Sequence, residues 1–450
     1  MDYTSLLKKY DVPVPRYTSY PTVPYWSDSP TPAQWMESLE RTLSRADSSW
    51  SLYLHIPFCE TLCTFCGCNT VITRGHERES PYVRAILDEF AIYRKHLPVL
   101  AKKPLRQLHL GGGTPTFLSA ANLQTLMSEL LAHVTLDPRG FEGSVEVDPR
   151  RTTAEQLQVL YDLGFTRVSM GVQDFDPEVQ RLVNRVQPFE QTRDLTLAAR
   201  QMGYESVNYD LIYGLPKQQL ESFKQSIERT IELKPDRIAL YSFAKVPWIK
   251  PQQRLFKDSD LPEGAEKRAL FEAGYHRLKQ AGYVEIGMDH FALPSDGLAR
   301  SLKDKSLHRN FMGYTDRRTD VLLGLGVSSI SETPDCFHQN EKVLPLYEKK
   351  IAAGEVPTHR GHVLSAEDQA QREQILGFMC QGEVRLRDAA QAADVRSFLA
   401  DMIQDGLVKL QGDLLSLTDK GRPFLRNASV VLDQRLRRQK PETRVFSQAL

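Results

Sequence analysis

Short apolar runs alternate with amphipathic stretches from Ser51 to about Ala292, and this alternation is the most regular pattern in the chain. The apolar runs predict strands over 51–56, 106–110, 143–147, 166–172, 206–212 and 237–243. The stretches between and after them predict helices over 80–96, 119–133, 153–163, 189–202, 219–233 and 264–281. Strands that alternate with helices form a parallel sheet, so the fold class is α/β. Six such units are too few to close an eight-stranded barrel, and we expect an open, partial (β/α)6 barrel.

The regions on either side of this pattern differ from it. Residues 1–25 contain four prolines and no sustained period, which predicts an extended arm, followed by a helix over about 32–46. From about Ser365 the pattern is mainly helical and ends in two short strands, 406–410 and 415–418, an order that resembles a winged helix. The predicted domains are therefore 1–50 (arm and helix), 51–295 (barrel), 296–364 (an extension completing the site) and 365–450 (C-terminal domain).

Composition narrows the class of partner. The 57 basic residues balance 57 acidic ones, so no global field attracts nucleic acid or an anionic membrane. No apolar stretch approaches the ~20 residues of a membrane span, and the N-terminus lacks a signal-peptide core. We expect a cytoplasmic monomer with a small-molecule substrate. A basic tail could indicate nucleic-acid binding, but we favour a solvated helix face for Arg435, Arg437, Arg438 and Lys440.

Four of the six cysteines fall within ten residues of the chain. Cys59, Cys63 and Cys66 have the spacing C-x3-C-x2-C, which directs three thiolates at one inorganic centre, and Cys68 adds a fourth sulfur. Zinc is the alternative, but it usually takes ligands from two separated pairs. A disulfide framework is less suited to a chain long enough to bury a large core. Three thiolates on a four-iron cluster would leave one iron open to a small molecule.

Polar and glycine-rich residues follow the predicted strands. They include His55, the triple glycine Gly111–Gly113, Glu146, Gln173 and Asp210. In parallel α/β sheets the ligand lies beyond the carboxyl ends of the strands, so these groups are expected to meet on one face. Beyond the barrel, 287–291 and 308–314 form a polar and aromatic cluster that we interpret as a substrate lid. His290 and His308 lie in it, although a lone histidine is more often structural.

The cysteine motif directly after an apolar strand resembles the signature of radical S-adenosylmethionine enzymes. The longer motifs PRYTSYP, LHIPFCxxLCxFCGCN, LHLGGGTPT, EVDPR, SMGVQDF, NYDLIYGLPKQ and GMDHFA resemble the oxygen-independent coproporphyrinogen III oxidase family along the whole chain. This resemblance implies a [4Fe-4S] cluster and two molecules of S-adenosylmethionine. The implied reaction converts the ring A and B propionates of coproporphyrinogen III to vinyl groups in haem biosynthesis, through a 5′-deoxyadenosyl radical.

The resemblance also implies roles for individual residues. The metal ligands are Cys59, Cys63 and Cys66, whereas Cys68 matches a cysteine that does not bind the cluster. Contacts to the cluster-bound S-adenosylmethionine correspond to Tyr53, Gly112, Glu146 and Ile330. Contacts to the second molecule correspond to Phe65, Gly113, Thr114, Gln173, Arg185, Asp210 and Ala244, and Gly67 is a further cofactor-binding candidate. As catalytic or substrate-contacting residues we expect Tyr53, Arg16, Tyr17, Arg309 and Met312.

Met312 departs from the family pattern, in which HRNFQGYT has glutamine at this position. A propionate contact is then missing or moved. The nearest rival function is that of haem-binding chaperone relatives, which typically lack the fourth cysteine and the arm, both present here. The implied partners are a flavodoxin-like or ferredoxin-like electron donor and an electron acceptor, neither of which the sequence identifies.

Overall fold

The structure is a computed structural model that describes residues 4–439, 441 and 445–449. Most of its strands belong to one large mixed sheet. The strands of the described chain are, in order, β1 Trp50–Ile56, β2 Phe58–Cys59, β3 Val71–Ile72, β4 Pro104–Gly112, β5 Thr135–Leu136, β6 Glu142–Val147, β7 Phe165–Gln173, β8 Ser206–Tyr213, β9 Arg237–Ser242, β10 Val284–Gly287, β11 His290–Ala292, β12 His308–Asn310, β13 Gly313–Thr315, β14 Val321–Leu325, β15 Ile330–Glu332, β16 Cys336–Asn340, β17 Thr358–Val363, β18 Glu383–Arg385, β19 Val408–Gln411 and β20 Leu414–Leu417.

Helices cover the outside of this sheet and build most of the C-terminal region. The α-helices of the described chain are α1 Thr4–Tyr10, α2 Pro32–Leu43, α3 Glu79–His96, α4 Ala120–Leu131, α5 Ala154–Asp162, α6 Pro177–Leu182, α7 Phe189–Met202, α8 Leu220–Leu233, α9 Gly264–Gln280, α10 Gly297–Lys303, α11 Leu344–Ala352, α12 Ala366–Gln381, α13 Ala389–Phe398, α14 Ala400–Gln404, α15 Leu425–Ser429 and α16 Gln434–Arg438. Short 3-10 helices lie at Val23–Tyr25, His76–Arg78, Leu100–Lys102, Pro115–Phe117, Pro251–Leu255, Asp258–Asp260, Arg422–Phe424 and Val430–Leu432. In this part of the chain, no helix is both long and apolar enough to cross a membrane.

The predicted partial barrel is confirmed. Strands β1, β4, β6, β7, β8 and β9 are parallel neighbours in that order. The first and last residue of each strand lie within two residues of the predicted bounds. In β1, Leu52, Leu54 and Ile56 are fully buried in the hydrophobic core, while Tyr53 and His55 alternate with them. Since successive strand residues point to opposite faces, this alternation separates the packed outer face from the polar interior of the barrel.

The sheet is wider than the sequence predicts. Beyond β1 it continues with β14, which is parallel to β1, and then with the antiparallel strands β15, β16 and β17. Beyond β9 it continues with antiparallel β11 and β10. The predicted extension of 296–364 therefore supplies four strands to the main sheet. The barrel stays open, because β10 and β17 form the two ends of the strand order.

The N-terminal arm packs against the C-terminal domain. Contrary to the expectation of a wholly extended arm, it begins with helix α1, which buries Leu6 and Tyr10 in a second core shared with α12, α15 and the strands β19 and β20. The predicted hairpin of β19 and β20 is confirmed, and β18 adds a third strand to it.

Ion pairs within the C-terminal domain engage the basic tail. Arg435 pairs with Asp368 at 2.8 Å and Arg437 with Asp394 at 2.6 Å. Arg438 lies 3.8 Å from Glu367. Lys440, the remaining basic residue of the predicted tail, lies outside the described residues. These arginines therefore stabilise the packing of α16 on the domain.

Candidate active site

The cysteine loop lies at the carboxyl end of β1 and is fixed by bonds to the neighbouring barrel segments. The backbone amide of Thr64 donates to the carbonyl of Val183 at 3.1 Å, and Asn184 Nδ2 donates to the carbonyl of Leu62 at 2.8 Å. The loop itself turns through a bond from the amide of Cys66 to the carbonyl of Cys63 at 3.1 Å. The residues on either side of Cys63 are thus attached to one barrel segment, Val183 and Asn184.

One cavity of about 590 Å³ collects most of the predicted site residues. It opens at the carboxyl ends of the barrel strands, where the sequence pattern placed the ligand. Its lining includes, among the predicted residues, Arg16, Cys59, Cys63, Phe65, Cys66, Gly67, Gly112, Gly113, Thr114, Glu146, Gln173, Arg185, Asp210 and Ala244.

The donor set of this cavity fits an iron–sulfur cluster. Cys59, Cys63 and Cys66 all line it, and thiolates are the ligands that such clusters take. Among the described residues, no three His, Cys, Asp or Glu side chains are arranged to bind a single ion. A Cβ added to Gly67 would meet nothing within 4 Å, so the loop leaves open space beside the thiols.

Two arginines and one aspartate surround Cys63. Arg150 and Arg185 each place a guanidinium nitrogen 3.7 Å from Cys63 Sγ, and both pair with Asp148, at 2.7 and 3.2 Å. Burial alone would raise the pKa of Asp148, but the Arg185 charge and the bonds from Arg150 lower it to about 2. The carboxylate is therefore charged and holds both guanidinium groups next to the Cys63 sulfur.

At the triple glycine, the backbone of Gly112 and Gly113 itself forms part of the cavity wall. Gly112 has φ of 119° and its amide donates to Glu146 Oε2 at 3.2 Å. A Cβ at Gly112 would lie 2.7 Å from the carbonyl oxygen of Ile56, and one at Gly113 would lie 2.7 Å from that of Pro57. Only glycine fits at these two positions, because a side chain would displace the strand that carries the cysteine loop.

Glu146 is kept as a carboxylate at the centre of the site. Burial would raise its pKa, but the bond from His109 Nε2 at 3.2 Å and the His109 charge lower it below the usual value. The ring of His109 also stacks on Tyr53 at 5.8 Å between centroids. Tyr53 in turn contacts His55 Nδ1 at 3.0 Å, and His55 Nε2 contacts the carbonyl of Asn69 at 3.0 Å. Tyr53 thereby links the strand to the end of the cysteine loop.

A second group of predicted cofactor residues lies on β7 and β8. Gln173 has φ of 68° at an irregularity in the β7 strand, and Arg185 donates to the carbonyl of Gly171 at 2.6 Å. Asp210 accepts bonds from Asn208 at 3.0 Å and Ser169 at 3.1 Å. Burial and the Glu146 charge raise the pKa of Asp210 to about 6. This side of the cavity therefore holds one carboxylate that titrates near neutral pH.

The arm brings Arg16 into the cavity but turns Tyr17 away. Arg16 pairs with Asp289 at 2.5 Å and its guanidinium lies 5.9 Å from the ring centroid of Tyr241. Tyr17 is only 1% exposed, and its hydroxyl donates to Asp433 at 3.2 Å within the second core. The Tyr17 hydroxyl is thus bonded to the C-terminal domain, and the expectation that Tyr17 contacts substrate stays a prediction.

Tyr53, described above, and three other predicted residues are not among those that line the main cavity. Met312 lines an inner cavity of about 180 Å³, which shares Glu146 and Asp210 with the main cavity. Arg309 is buried over the ring of Tyr314 at 4.7 Å, and it also contacts the carbonyl of Arg16 at 3.5 Å. Ile330 packs in a small apolar cluster. Its carbonyl lies beside Gly324, and Gly324 pairs with Tyr53 in the register of strands β14 and β1.

Comparison with known proteins agrees with this geometry. Residues 53–230 match the model of the Radical SAM superfamily, and residues 364–424 match that of the HemN C-terminal domain. The oxygen-independent coproporphyrinogen III oxidase of Pseudomonas aeruginosa is 40% identical over 442 residues, 96% of this chain and 95% of the relative. That of Escherichia coli strain K12 is 40% identical over 455 residues, 99% of this chain and 98% of the relative.

The chain belongs to the oxygen-independent coproporphyrinogen III oxidase family. A solved structure, that of coproporphyrinogen III oxidase (HemN) from Escherichia coli, which is described as a Radical SAM enzyme, matches with a TM-score of 0.90 at 39% identity. The match covers 96% of this chain and 99% of that chain. The cofactors of this superfamily are a [4Fe-4S] cluster and S-adenosylmethionine, and the cavity described above fits both.

Several residues in or beside the cavities were not identified as site residues from the sequence. Asp148 and Arg150 lie in EVDPR and Asp289 in GMDHFA, so the quoted motifs already contained the signal. Tyr241 and His109 lie inside strands, where a polar or aromatic residue has no distinguishing pattern. Of the two lid histidines, His290 lines the inner cavity, where burial lowers its pKa to about 4, and His308 does not line either cavity.

Proposed function

We propose that this chain catalyses the oxygen-independent oxidative decarboxylation of coproporphyrinogen III to protoporphyrinogen IX. The observation that carries the proposal is that three thiols and Arg16 line the same cavity. The chain that forms this cavity is 40% identical to such oxidases over nearly its whole length. The thiols supply ligands for a redox cluster. The arginine supplies a partner for a carboxylate, which is the group that this reaction removes.

The chain's residues would hold the cofactors as follows. Cys59, Cys63 and Cys66 would bind the [4Fe-4S] cluster, with Cys68 outside the ligand set. Cys68 also lines the cavity, so this distinction depends on the family pattern and is tested below. When bound and reduced, the cluster would supply the one electron needed for the reductive cleavage of S-adenosylmethionine. Arg150 and Arg185 would place positive charge beside the Cys63 sulfur, and the anchored loop would hold the three ligands in position.

We further propose two S-adenosylmethionine molecules. Glu146 with the Gly112 backbone supports the first, because a half-exposed carboxylate that lines the cavity can accept a hydrogen bond from an amine or a ribose hydroxyl. Asp210 and the bonds around Gln173 and Arg185 support the second. The described cavity is continuous across both groups of residues, from the triple glycine to Ala244.

Arg16 would pair with a propionate of the substrate at the mouth of the cavity. Each decarboxylation removes one hydrogen atom from the propionate β-carbon, releases carbon dioxide and passes one electron to an acceptor, which leaves a vinyl group. Arg309 contacts the Arg16 carbonyl and positions the arm. Met312 offers no hydrogen-bond donor to a carboxylate, so the arginines would carry the contact that glutamine makes elsewhere in the family.

The remaining expectations on partners and location are proposals too. An external one-electron donor must reduce the cluster, and an acceptor must take the substrate electron. All six cysteines are free, and reduced thiols with an oxygen-sensitive cluster favour a cytoplasmic enzyme. We propose that it acts as a monomer.

The product identifies the function. Anaerobically reconstituted protein should convert coproporphyrinogen III to protoporphyrinogen IX when S-adenosylmethionine and dithionite are supplied, as measured by chromatography after oxidation to the porphyrins. A Cys66→Ala variant serves as the matched control and should give no product. Haem binding without any decarboxylation would instead indicate the chaperone function of related proteins.

A further inference from the structure

The outer side of the cysteine loop borders a surface with a distinct composition. Lys250 Nζ donates to the carbonyl of Cys68 at 2.7 Å, and Asn69 Nδ2 donates to the carbonyl of Lys342 at 3.1 Å. Two segments far apart in sequence therefore meet over the end of the loop. We call this the basic surface and define it by Ile249, Lys250, Lys342, Val343, Leu346 and Arg360.

The three cations of the basic surface lie close enough to influence one another. The pKa of Lys342 is lowered by burial and by the charges of Arg360 and Lys250. The nearby carboxylate of Glu341 is already paired with Lys350 at 3.3 Å. Together these cations give the surface a positive potential, which favours association with a negatively charged partner.

Apolar side chains are exposed among these cations. Ile249 is 58% exposed, Val343 is 51% exposed and Leu346 is 48% exposed. Apolar contacts within a charged rim are the usual composition of a protein–protein interface, in which complementary charges raise the rate of association. The occupant that matches this composition is a protein with an acidic face.

We propose that the basic surface is the docking site of a small acidic one-electron carrier protein that reduces the cluster. The inference rests on the proposed function, because a radical S-adenosylmethionine reaction needs one external electron for each cleavage. The carrier is oxidised by one electron and the cluster is reduced by one, and no bond forms between the proteins. The surface is suited to this transfer because it borders the cysteine loop directly. Lys250 Nζ donates to the carbonyl of Cys68 at 2.7 Å, and Gln252 Nε2, two residues along the chain, donates to the carbonyl of Cys66 at 3.1 Å.

Reversal of two charges tests this site. The variant K342E/R360E removes cations of the surface and leaves Lys250, which supports the loop. The control R396E/K409E reverses the same number of exposed charges on the C-terminal domain. With a purified acidic bacterial flavodoxin as the probe, calorimetry at low salt should show affinity reduced at least about tenfold in K342E/R360E and unchanged in the control. The remaining affinity of that variant should depend less on salt than that of the wild type.

Electron transfer provides the second measurement. Stopped-flow reduction of the cluster by reduced flavodoxin should slow at least about tenfold in K342E/R360E, whereas decarboxylation driven by dithionite should match the wild type. Unchanged flavodoxin affinity in K342E/R360E, or an equal loss in the control, would overturn the docking site. If the wild type bound and accepted electrons from flavodoxin but never decarboxylated coproporphyrinogen III with dithionite, the proposed function would fail and the docking site would stand.

Discussion

The cysteine loop and the N-terminal arm bring chemistry to the same cavity by opposite means. The loop leaves a strand of the central sheet, and its anchors at Val183 and Asn184 lie in the same barrel. The arm is held by a residue more than 400 positions away, because Arg426 donates to the carbonyls of Pro15, at 3.1 Å, and Val14. The same guanidinium also donates to Gln448 at 2.8 Å and Ala449 at 3.1 Å.

This difference separates two tasks. All the proposed cofactor contacts except Ile330 lie in the barrel, whereas the bonds from Arg426 that hold the arm come from the C-terminal domain. Damage to the domain should therefore impair use of the substrate and spare the binding of S-adenosylmethionine. Damage to the loop should abolish both.

The largest effect is expected from the cysteines. Alanine at Cys59, Cys63 or Cys66 should eliminate the cluster, because two thiolates cannot hold four irons with one open site. Alanine at Cys68 should leave iron and sulfide per chain unchanged after anaerobic reconstitution. Loss of iron from Cys68→Ala together with retention in Cys66→Ala would contradict the ligand assignment.

Release of the arm should have the next largest effect. Arg426→Met removes a buried cation that bonds to both chain termini, and we expect the free energy of unfolding to fall by about 3 kcal/mol. Decarboxylation should drop about hundredfold because Arg16 is misplaced, while S-adenosylmethionine binding by equilibrium dialysis is retained. Arg422→Met, a nearby exposed arginine, is the control. Equal loss of cofactor binding in Arg426→Met would show that the two tasks are not separable.

Titration of Asp210 should weaken one cofactor site. Its pKa is raised to about 6, so the carboxylate is charged above that pH and neutral below it. Affinity for the proposed second S-adenosylmethionine, a cation, should fall as pH drops through about 6, and Asp210→Asn should lose about tenfold in that affinity at pH ~8. Binding stoichiometry measured from pH ~5.5 to ~8 checks this. A pH profile of Asp210→Asn identical to that of the wild type would rule out this carboxylate.

A smaller effect is expected at Met312. Glutamine there would add a donor for a carboxylate, but Arg16 and Arg309 are already proposed to carry the propionate contact, so Met312→Gln should lower the KM for coproporphyrinogen by less than about tenfold or leave it unchanged. Arg309→Ala should raise that KM. Steady-state kinetics that showed a silent Arg309→Ala and an inactive Met312→Gln would reverse these roles.

The smallest effect is expected at Tyr17. Tyr17→Phe removes one hydroxyl bond to Asp433, which should cost about 1 kcal/mol of stability in chemical denaturation. Turnover should stay close to wild type, because the ring remains in the second core. A large fall in kcat with unchanged stability would restore the catalytic role that the arm motif suggested.

Local patterns explain which parts of the fold could be predicted. The six barrel strands follow from apolar periodicity, and their polar ends follow from the geometry of parallel sheets. Strand β16 could not be predicted, because its buried polar residues are satisfied only by distant partners. His338 stacks on Trp35 at 5.0 Å, and Asn340 bonds to Glu89 at 2.6 Å.

The site residues divide in the same way into those that local sequence patterns predict and those that depend on distant partners. Residues at strand ends, such as Glu146 and Asp210, were predicted and line the cavity. The pairing of Arg16 with Asp289 and the burial of Tyr17 were not predicted, since neighbouring arm residues look alike in sequence and only their distant partners decide which one enters the cavity.

Transfer of a labelled hydrogen tests the central claim most directly, namely that the cluster loop and the arm act on one propionate. Coproporphyrinogen III deuterated at the propionate β-carbons should be incubated anaerobically with the reconstituted protein, S-adenosylmethionine and dithionite. We expect deuterium in the 5′-deoxyadenosine in step with the carbon dioxide released, as measured by mass spectrometry, and Arg426→Met should lower both together. Formation of 5′-deoxyadenosine without deuterium and without carbon dioxide would contradict the account.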